Sequence, residues 1–86
     1  MKQIIISKYG APEVLQVRDT ETPTPKSGEI LIKNYFSGVN FSEVMARMKL
    51  YPGAPKPPCT LGGECSGVIE SIGKNVNGFS IGQRVM

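Results

Sequence analysis

The chain contains no histidine and no tryptophan, and only two cysteines, Cys59 and Cys65. Without an imidazole it lacks the commonest neutral metal ligand and the usual general base near neutral pH. Two cysteines with no histidine partner build neither a tetrahedral zinc site nor a disulfide framework, and both are read as free, buried thiols. Long apolar runs are absent too. The longest, Ile4-Ile5-Ile6, falls far short of the roughly 20 residues a membrane-spanning helix needs. Met1-Lys2-Gln3 leads into it without a signal-peptide apolar region or a small-residue cleavage site, so a cytoplasmic protein with no membrane span is expected. The net charge of +3 comes from ten basic residues dispersed between Lys2 and Arg84 among seven acidic ones. No basic run with interleaved aromatics exists to track a phosphate backbone, and nucleic acid is not an expected partner.

What is present is an ordinary globular composition, 40% apolar and 20% charged over 86 residues, enough for one small domain with a narrow stability margin. Lys2 to Ser7 is short and rich in β-branched residues, Tyr9-Gly10-Ala11-Pro12 is a turn cluster, and Leu15 to Asp19 alternates apolar with polar residues. This pattern predicts a hairpin. Thr22 to Gly28, with Pro23 and Pro25, holds neither helix nor central strand. Glu29 to Phe36 alternates again, with β-formers continuing to Val39, and predicts a strand. From Ser42 the spacing of Val44, Met45 and Met48 changes to a helical one; a short helix is expected to end near Leu50, with Ser42 as a candidate N-cap and Glu43 in its first turn. The four prolines between Tyr51 and Pro58 predict an irregular loop. Gly67 to Ile72 is a further strand, with Ile69 opposed to Val68, Glu70 and Ile72. Gln83 to Met86 begins another. The fold class is therefore mainly β, with one short helix.

Three segments carry more than barrel chemistry. They are Ser37-Gly38-Val39-Asn40-Phe41-Ser42-Glu43-Val44-Met45-Ala46-Arg47 with Leu50-Tyr51-Pro52-Gly53, then Leu61-Gly62-Gly63-Glu64-Cys65-Ser66-Gly67-Val68-Ile69-Glu70-Ser71-Ile72-Gly73, then Val76, Phe79 and Gly82-Gln83-Arg84-Val85. Together they resemble the medium-chain dehydrogenase/reductase superfamily. Within it the chain is similar to the zinc-free quinone oxidoreductases and to the vesicle amine transport protein homologues. The resemblance implies a small, partly open GroES-like β-barrel, with residues 1–86 forming the N-terminal part of the catalytic domain and the dinucleotide-binding domain lying outside them. It implies an NADP- or NAD-dependent parent enzyme that reduces quinones or activated enones by hydride transfer, with a small hydrophobic acceptor, and it allows a homodimer. No cofactor is expected on these residues alone, because the glycine-rich βαβ unit that holds a dinucleotide is not among them. The fragment alone is expected to be inactive.

Zinc-dependent members of the superfamily carry a cysteine where Asn40 stands and a histidine where Gly63 stands, so the resemblance implies no catalytic zinc here. It places Asn40 at the cofactor and in the substrate cleft, and Tyr51 in the same cleft. Plainer readings stand beside these. Asn40 suits a helix cap, and Tyr51 suits the covering of apolar surface. Glu64 reads as a carboxylate anchoring loop N–H groups, against a catalytic role. Arg47 reads as a solvated helix residue, against a 2′-phosphate contact, and Met45 and Met48 as core. A non-enzymatic GroES-like binding or assembly module is the rival function, and it requires a mobile apolar loop early in the chain.

Overall fold

A computed structural model describes all residues, 1–86. The chain forms two compact units, Met1–Glu21 with Val39–Gly63 and Thr22–Gly38 with Glu64–Met86. Each is built on one three-stranded antiparallel sheet. The architecture is mainly β with a single α-helix, and the strands lie in two separate sheets with no closed barrel.

In the first unit, strand β1 (Lys2–Ile6) pairs antiparallel with β2 (Leu15–Asp19) and, on its other edge, with the short β4 (Cys59–Thr60). The predicted hairpin is present, its register running from Lys2 opposite Asp19 to Ile6 opposite Leu15. The connecting turn contains a single 3-10 turn, Pro12–Val14, opened by proline where a missing N–H costs nothing. Ile6 is fully buried and is joined in this small core by Val14 and Ala46.

Helix α1 spans Phe41–Arg47, one residue earlier at its start and three earlier at its end than the sequence spacing suggests. Both differences have a backbone cause. The N-cap is Asn40, not Ser42, because Asn40 and Glu43 form a capping box one turn apart. At the other end Lys49 adopts φ 63°, the left-handed conformation. The Lys49 N–H then reaches Ala46 O at 3.1 Å and the Leu50 N–H reaches Met45 O at 2.7 Å, the paired bonds of a Schellman stop. Helical periodicity in the side chains continued to Met48, but the backbone turns away. Met48 is consequently exposed rather than core.

In the second unit the order is β3 (Ile30–Ser37), β5 (Cys65–Ile72), β6 (Arg84–Val85), with β5 central. β5 starts two residues before the predicted strand. Its alternation is the expected one, with Gly67 and Ile69 buried and Glu70 exposed. β3 is paired along most of its length with β5, but the register shifts between Leu31 and Ile32 and again between Asn34 and Phe36. Each shift leaves one residue outside the ladder, Glu70 of β5 at the first and Tyr35 of β3 at the second, which a period-2 reading of this segment does not foresee. The proline-bearing segment after Thr22 is irregular, as expected, and is tied down at its end. Gly28 N–H donates to Lys74 O at 2.8 Å and the Asn75 amide donates to Ser27 Oγ at 2.9 Å.

Candidate functional site

Asn40 and Tyr51, the two residues expected in the cleft, lie in the same unit at opposite ends of α1. The helix has seven residues, so its ends are separated by about 10 Å at 1.5 Å rise per residue. Asn40 is extended at φ −109°, ψ 163°. Its N–H donates to Glu43 Oε2 at 2.7 Å, and Glu43 N–H donates to Asn40 O at 3.1 Å. The approach of the Asn40 side chain to the Glu43 N–H is present in outline, without the geometry of a full hydrogen bond. The capping reading of Asn40 thus describes its backbone, while its exposed side-chain amide keeps hydrogen-bonding capacity for another group. The bond from the Asn40 N–H, ahead of smaller contributions from the Glu43 N–H and from the Ser42 and Asn40 side chains, holds the Glu43 carboxyl below its usual range.

Tyr51 follows the Schellman stop and opens the turn closed by the Ala54 N–H to Tyr51 O bond at 3.2 Å. The residue is 48% exposed. Further along this loop, Pro55 O accepts the Tyr9 hydroxyl at 3.2 Å and lies 3.8 Å from Cys59 Sγ.

Three residues behave differently from their sequence readings. Arg47 is buried, 9% exposed, and not a solvated helix residue. Its guanidinium donates to Gly10 O, and Gly10 N–H donates back to Arg47 O at 2.9 Å. Gly10 sits at φ 153°, and a β-carbon there would stand 3.0 Å from Val14 Cγ1. In the second unit Glu64 does not anchor a loop N–H. Its carboxylate lies over Gly38, with Oε1 1.6 Å from where a β-carbon on residue 38 would stand. Cys59 and Cys65 are free thiols of intermediate exposure rather than buried ones.

No three His, Cys, Asp or Glu side chains come together as a metal-binding group. Gly63 offers no ligand, with open space where its side chain would be. All strand pairs are antiparallel, so no parallel βαβ unit exists to hold a pyrophosphate at a helix N-terminus, and these residues do not fit a dinucleotide on their own. The shallow groove of the second unit, lined by Pro23, Thr24, Pro25, Glu29, Ile30 and Leu31, contains neither predicted site residue. No helix is long and apolar enough to cross a membrane.

Two three-stranded antiparallel sheets and one capped helix are the elements of a GroES-like domain of the medium-chain dehydrogenase/reductase superfamily. The chain belongs to the alcohol dehydrogenase GroES-like domain family, which it matches over residues 26–86. It is 39% identical over 87 residues to the synaptic vesicle membrane protein VAT-1 homolog of Danio rerio, covering 99% of this chain and 18% of that protein. It is 40% identical over 86 residues to the quinone oxidoreductase of Homo sapiens, covering 99% of this chain and 26% of that protein. Among solved structures, the Escherichia coli quinone oxidoreductase complexed with NADPH superposes with a TM-score of 0.92 at 34% identity, over 98% of this chain and 26% of that one. The chain thus spans about a fifth to a quarter of the length of these relatives.

Proposed function

We propose that residues 1–86 are the acceptor-side part of the catalytic domain of a zinc-independent, NAD(P)H-dependent oxidoreductase that reduces quinones or activated enones by hydride transfer. The observation that carries this reading is the superposition of nearly the whole backbone on a quinone oxidoreductase complexed with NADPH. Exposed apolar surface supports it as well. Ile4 and Val17, facing each other across β1 and β2, are both exposed, as are Phe36 in β3 and Phe79 and Ile81 in the second unit. Apolar faces of this kind are commonly covered by further protein.

In this reading the reducing equivalents come from a nicotinamide cofactor, NADP or NAD, bound by a domain outside these residues. The Asn40 amide contributes a hydrogen bond where cofactor and acceptor meet, and Tyr51 supplies a ring face and a hydroxyl to a small hydrophobic acceptor. A homodimer is the proposed assembly of the complete protein, and neither nucleic acid nor membrane insertion enters its function. The rival reading as a non-enzymatic assembly module lacks its required feature, since the loop from Thr22 to Gly28 is polar and bonded at its end.

The test compares the 86-residue chain with the same chain joined to its cofactor domain, following loss of the nicotinamide absorbance with a benzoquinone or naphthoquinone acceptor. The joined protein should turn over and the chain alone should not exceed the protein-free rate. Steady turnover by the chain alone, or none by the joined protein with any quinone or enone, would contradict the proposal.

A further inference from the structure

Tyr9 makes contacts that neither the sequence motifs nor the proposed chemistry absorb. Its hydroxyl donates to Pro55 O at 3.2 Å. Its ring lies 5.7 Å below the Lys49 ammonium, within reach of a cation–π contact. The neighbouring Gly10 is held to Arg47 by two bonds, the guanidinium to Gly10 O and Gly10 N–H to Arg47 O at 2.9 Å. Arg47 and Lys49 lie at the end of α1, and Pro55 lies within the proline-rich loop. The Tyr9-Gly10 turn therefore grips the segment containing Tyr51 on both sides.

Lys49 sharpens this point. It occupies a left-handed position, φ 63°, where glycine is the usual residue and any side chain carries a conformational cost. A lysine there places its ammonium over the Tyr9 ring, which a glycine could not do. Arg47 adds a second oddity. It is a buried cation whose hydrogen bond goes to a backbone carbonyl, while the one ion pair of the chain is between Lys2 and Asp19. A guanidinium placed there fixes the Tyr9-Gly10 turn at the helix end, where a cation also complements the last carbonyls.

We propose that Tyr9 is a positioning residue: with Gly10 and Arg47 it forms a staple across the Lys49–Pro55 segment that sets the orientation of the Tyr51 ring toward the acceptor. The staple rests on the reading of Tyr51 as an acceptor contact. It acts on the acceptor side only, so it should govern the acceptor KM and leave the KM for NADPH and the turnover number alone. Because the loop is fixed before the acceptor arrives, loosening it adds an ordering cost to acceptor binding.

Two variants and two readouts test this. Tyr9→Phe removes the hydroxyl bond and keeps the ring under Lys49; Tyr9→Leu removes both. Amide hydrogen exchange at Ala54, whose N–H closes the Tyr51 turn, is followed in the 86-residue chain and in the chain joined to its cofactor domain. Acceptor and NADPH kinetics are followed in the joined protein. For Tyr9→Phe, Ala54 exchange and the acceptor KM should both rise by about three- to tenfold, the range set by loss of one hydrogen bond. Tyr9→Leu should move both further, with the β1–β2 amides of Ile4 and Val17 unchanged as the control for folding. Unchanged Ala54 exchange in both variants overturns the staple. Faster exchange with an unchanged acceptor KM overturns its link to Tyr51. If the wild-type joined protein reduces no quinone or enone, the proposed function fails by itself, and the same exchange measurement still decides whether the staple exists.

Discussion

The Asn40 N–H and the Glu43 carboxylate meet at 2.7 Å across the first turn of the only α-helix. Because this bond holds the Glu43 carboxyl below its ordinary value of 4.5, it has a definite sign in the pH dependence of stability. The carboxylate stabilises the folded form at pH values above the unfolded carboxyl's pKa, and this contribution is lost as pH falls through the lower folded value. Glu43→Gln should therefore melt at a lower temperature than the wild type at pH 7, with the gap closing between about pH 5 and pH 3. Thermal denaturation of both proteins across this range is the check. A gap that stays constant to pH 3 would show that the charge on Glu43 plays no part.

Gly67 in the central strand β5 tests the packing of the second unit. A β-carbon there would stand 2.0 Å from Lys33 O and 2.9 Å from Ile32 Cγ2, so β3 and β5 approach too closely for any side chain. Gly67→Ala should cost about 2–3 kcal/mol, because backbone rather than a flexible side chain must move. Gly38→Ala is the matched control. The atoms it meets belong to the exposed Glu64 side chain, which can swing aside, and its cost should stay within about 0.5 kcal/mol. Denaturant unfolding of the two variants separates them, and equal costs would mean that β3 and β5 are free to part.

Much of this fold was legible because its signals are local. The hairpin of β1 and β2, the alternation of β5 and the break at Thr22–Gly28 follow from side-chain period and from proline, and they appear where the pattern put them. The misreadings share a different cause. The end of α1 is set by a left-handed Lys49 and two backbone bonds, while the side chains of Val44, Met45 and Met48 keep helical spacing past the stop. Arg47 appeared solvated because its partner is a carbonyl 37 residues away in sequence, which no local pattern reports. Glu64 fits over Gly38 only once β3 and β5 are paired. For the site, Asn40 was marked both as a cap and as a cleft residue, and the structure supplies the geometry of the cap; the motifs raised Tyr51 but gave no hint of Tyr9.

Metal content gives a third prediction. The family resemblance implies that Asn40 and Gly63 stand where zinc-dependent members carry cysteine and histidine ligands, and no three His, Cys, Asp or Glu side chains come together as a metal-binding group. Elemental analysis after dialysis against zinc-containing and then zinc-free buffer should find well below one equivalent per chain. A stoichiometric, tetrahedrally coordinated zinc would overturn the zinc-independent reading.

Asn40 carries a double role, and its variant must be read on two scales. Asn40→Ala keeps the bond from the backbone N–H to Glu43 and removes only the loose approach of the side chain to the Glu43 N–H, so it should lower stability by no more than about 0.5 kcal/mol. If its amide also serves the meeting point of cofactor and acceptor, kcat/KM of the joined protein should fall by more than the folded fraction does. Activity and unfolding measured on one sample separate the two, and a loss of activity that tracks unfolding alone would leave Asn40 as a cap only.

Shaping the acceptor side of a nicotinamide-dependent reaction is the proposed role of these residues, and substitution of Tyr51 reads it out on the acceptor alone. In the chain joined to its cofactor domain, Tyr51→Ala should raise the quinone KM, or lower kcat/KM for quinone, by on the order of tenfold, as expected for about 1–2 kcal/mol of lost ring contact. The KM for NADPH and the melting temperature should stay close to wild type, and Tyr51→Phe should show a smaller effect because the ring remains. Wild-type quinone kinetics in both Tyr51 variants, or an equal rise in the KM for NADPH, would contradict the account.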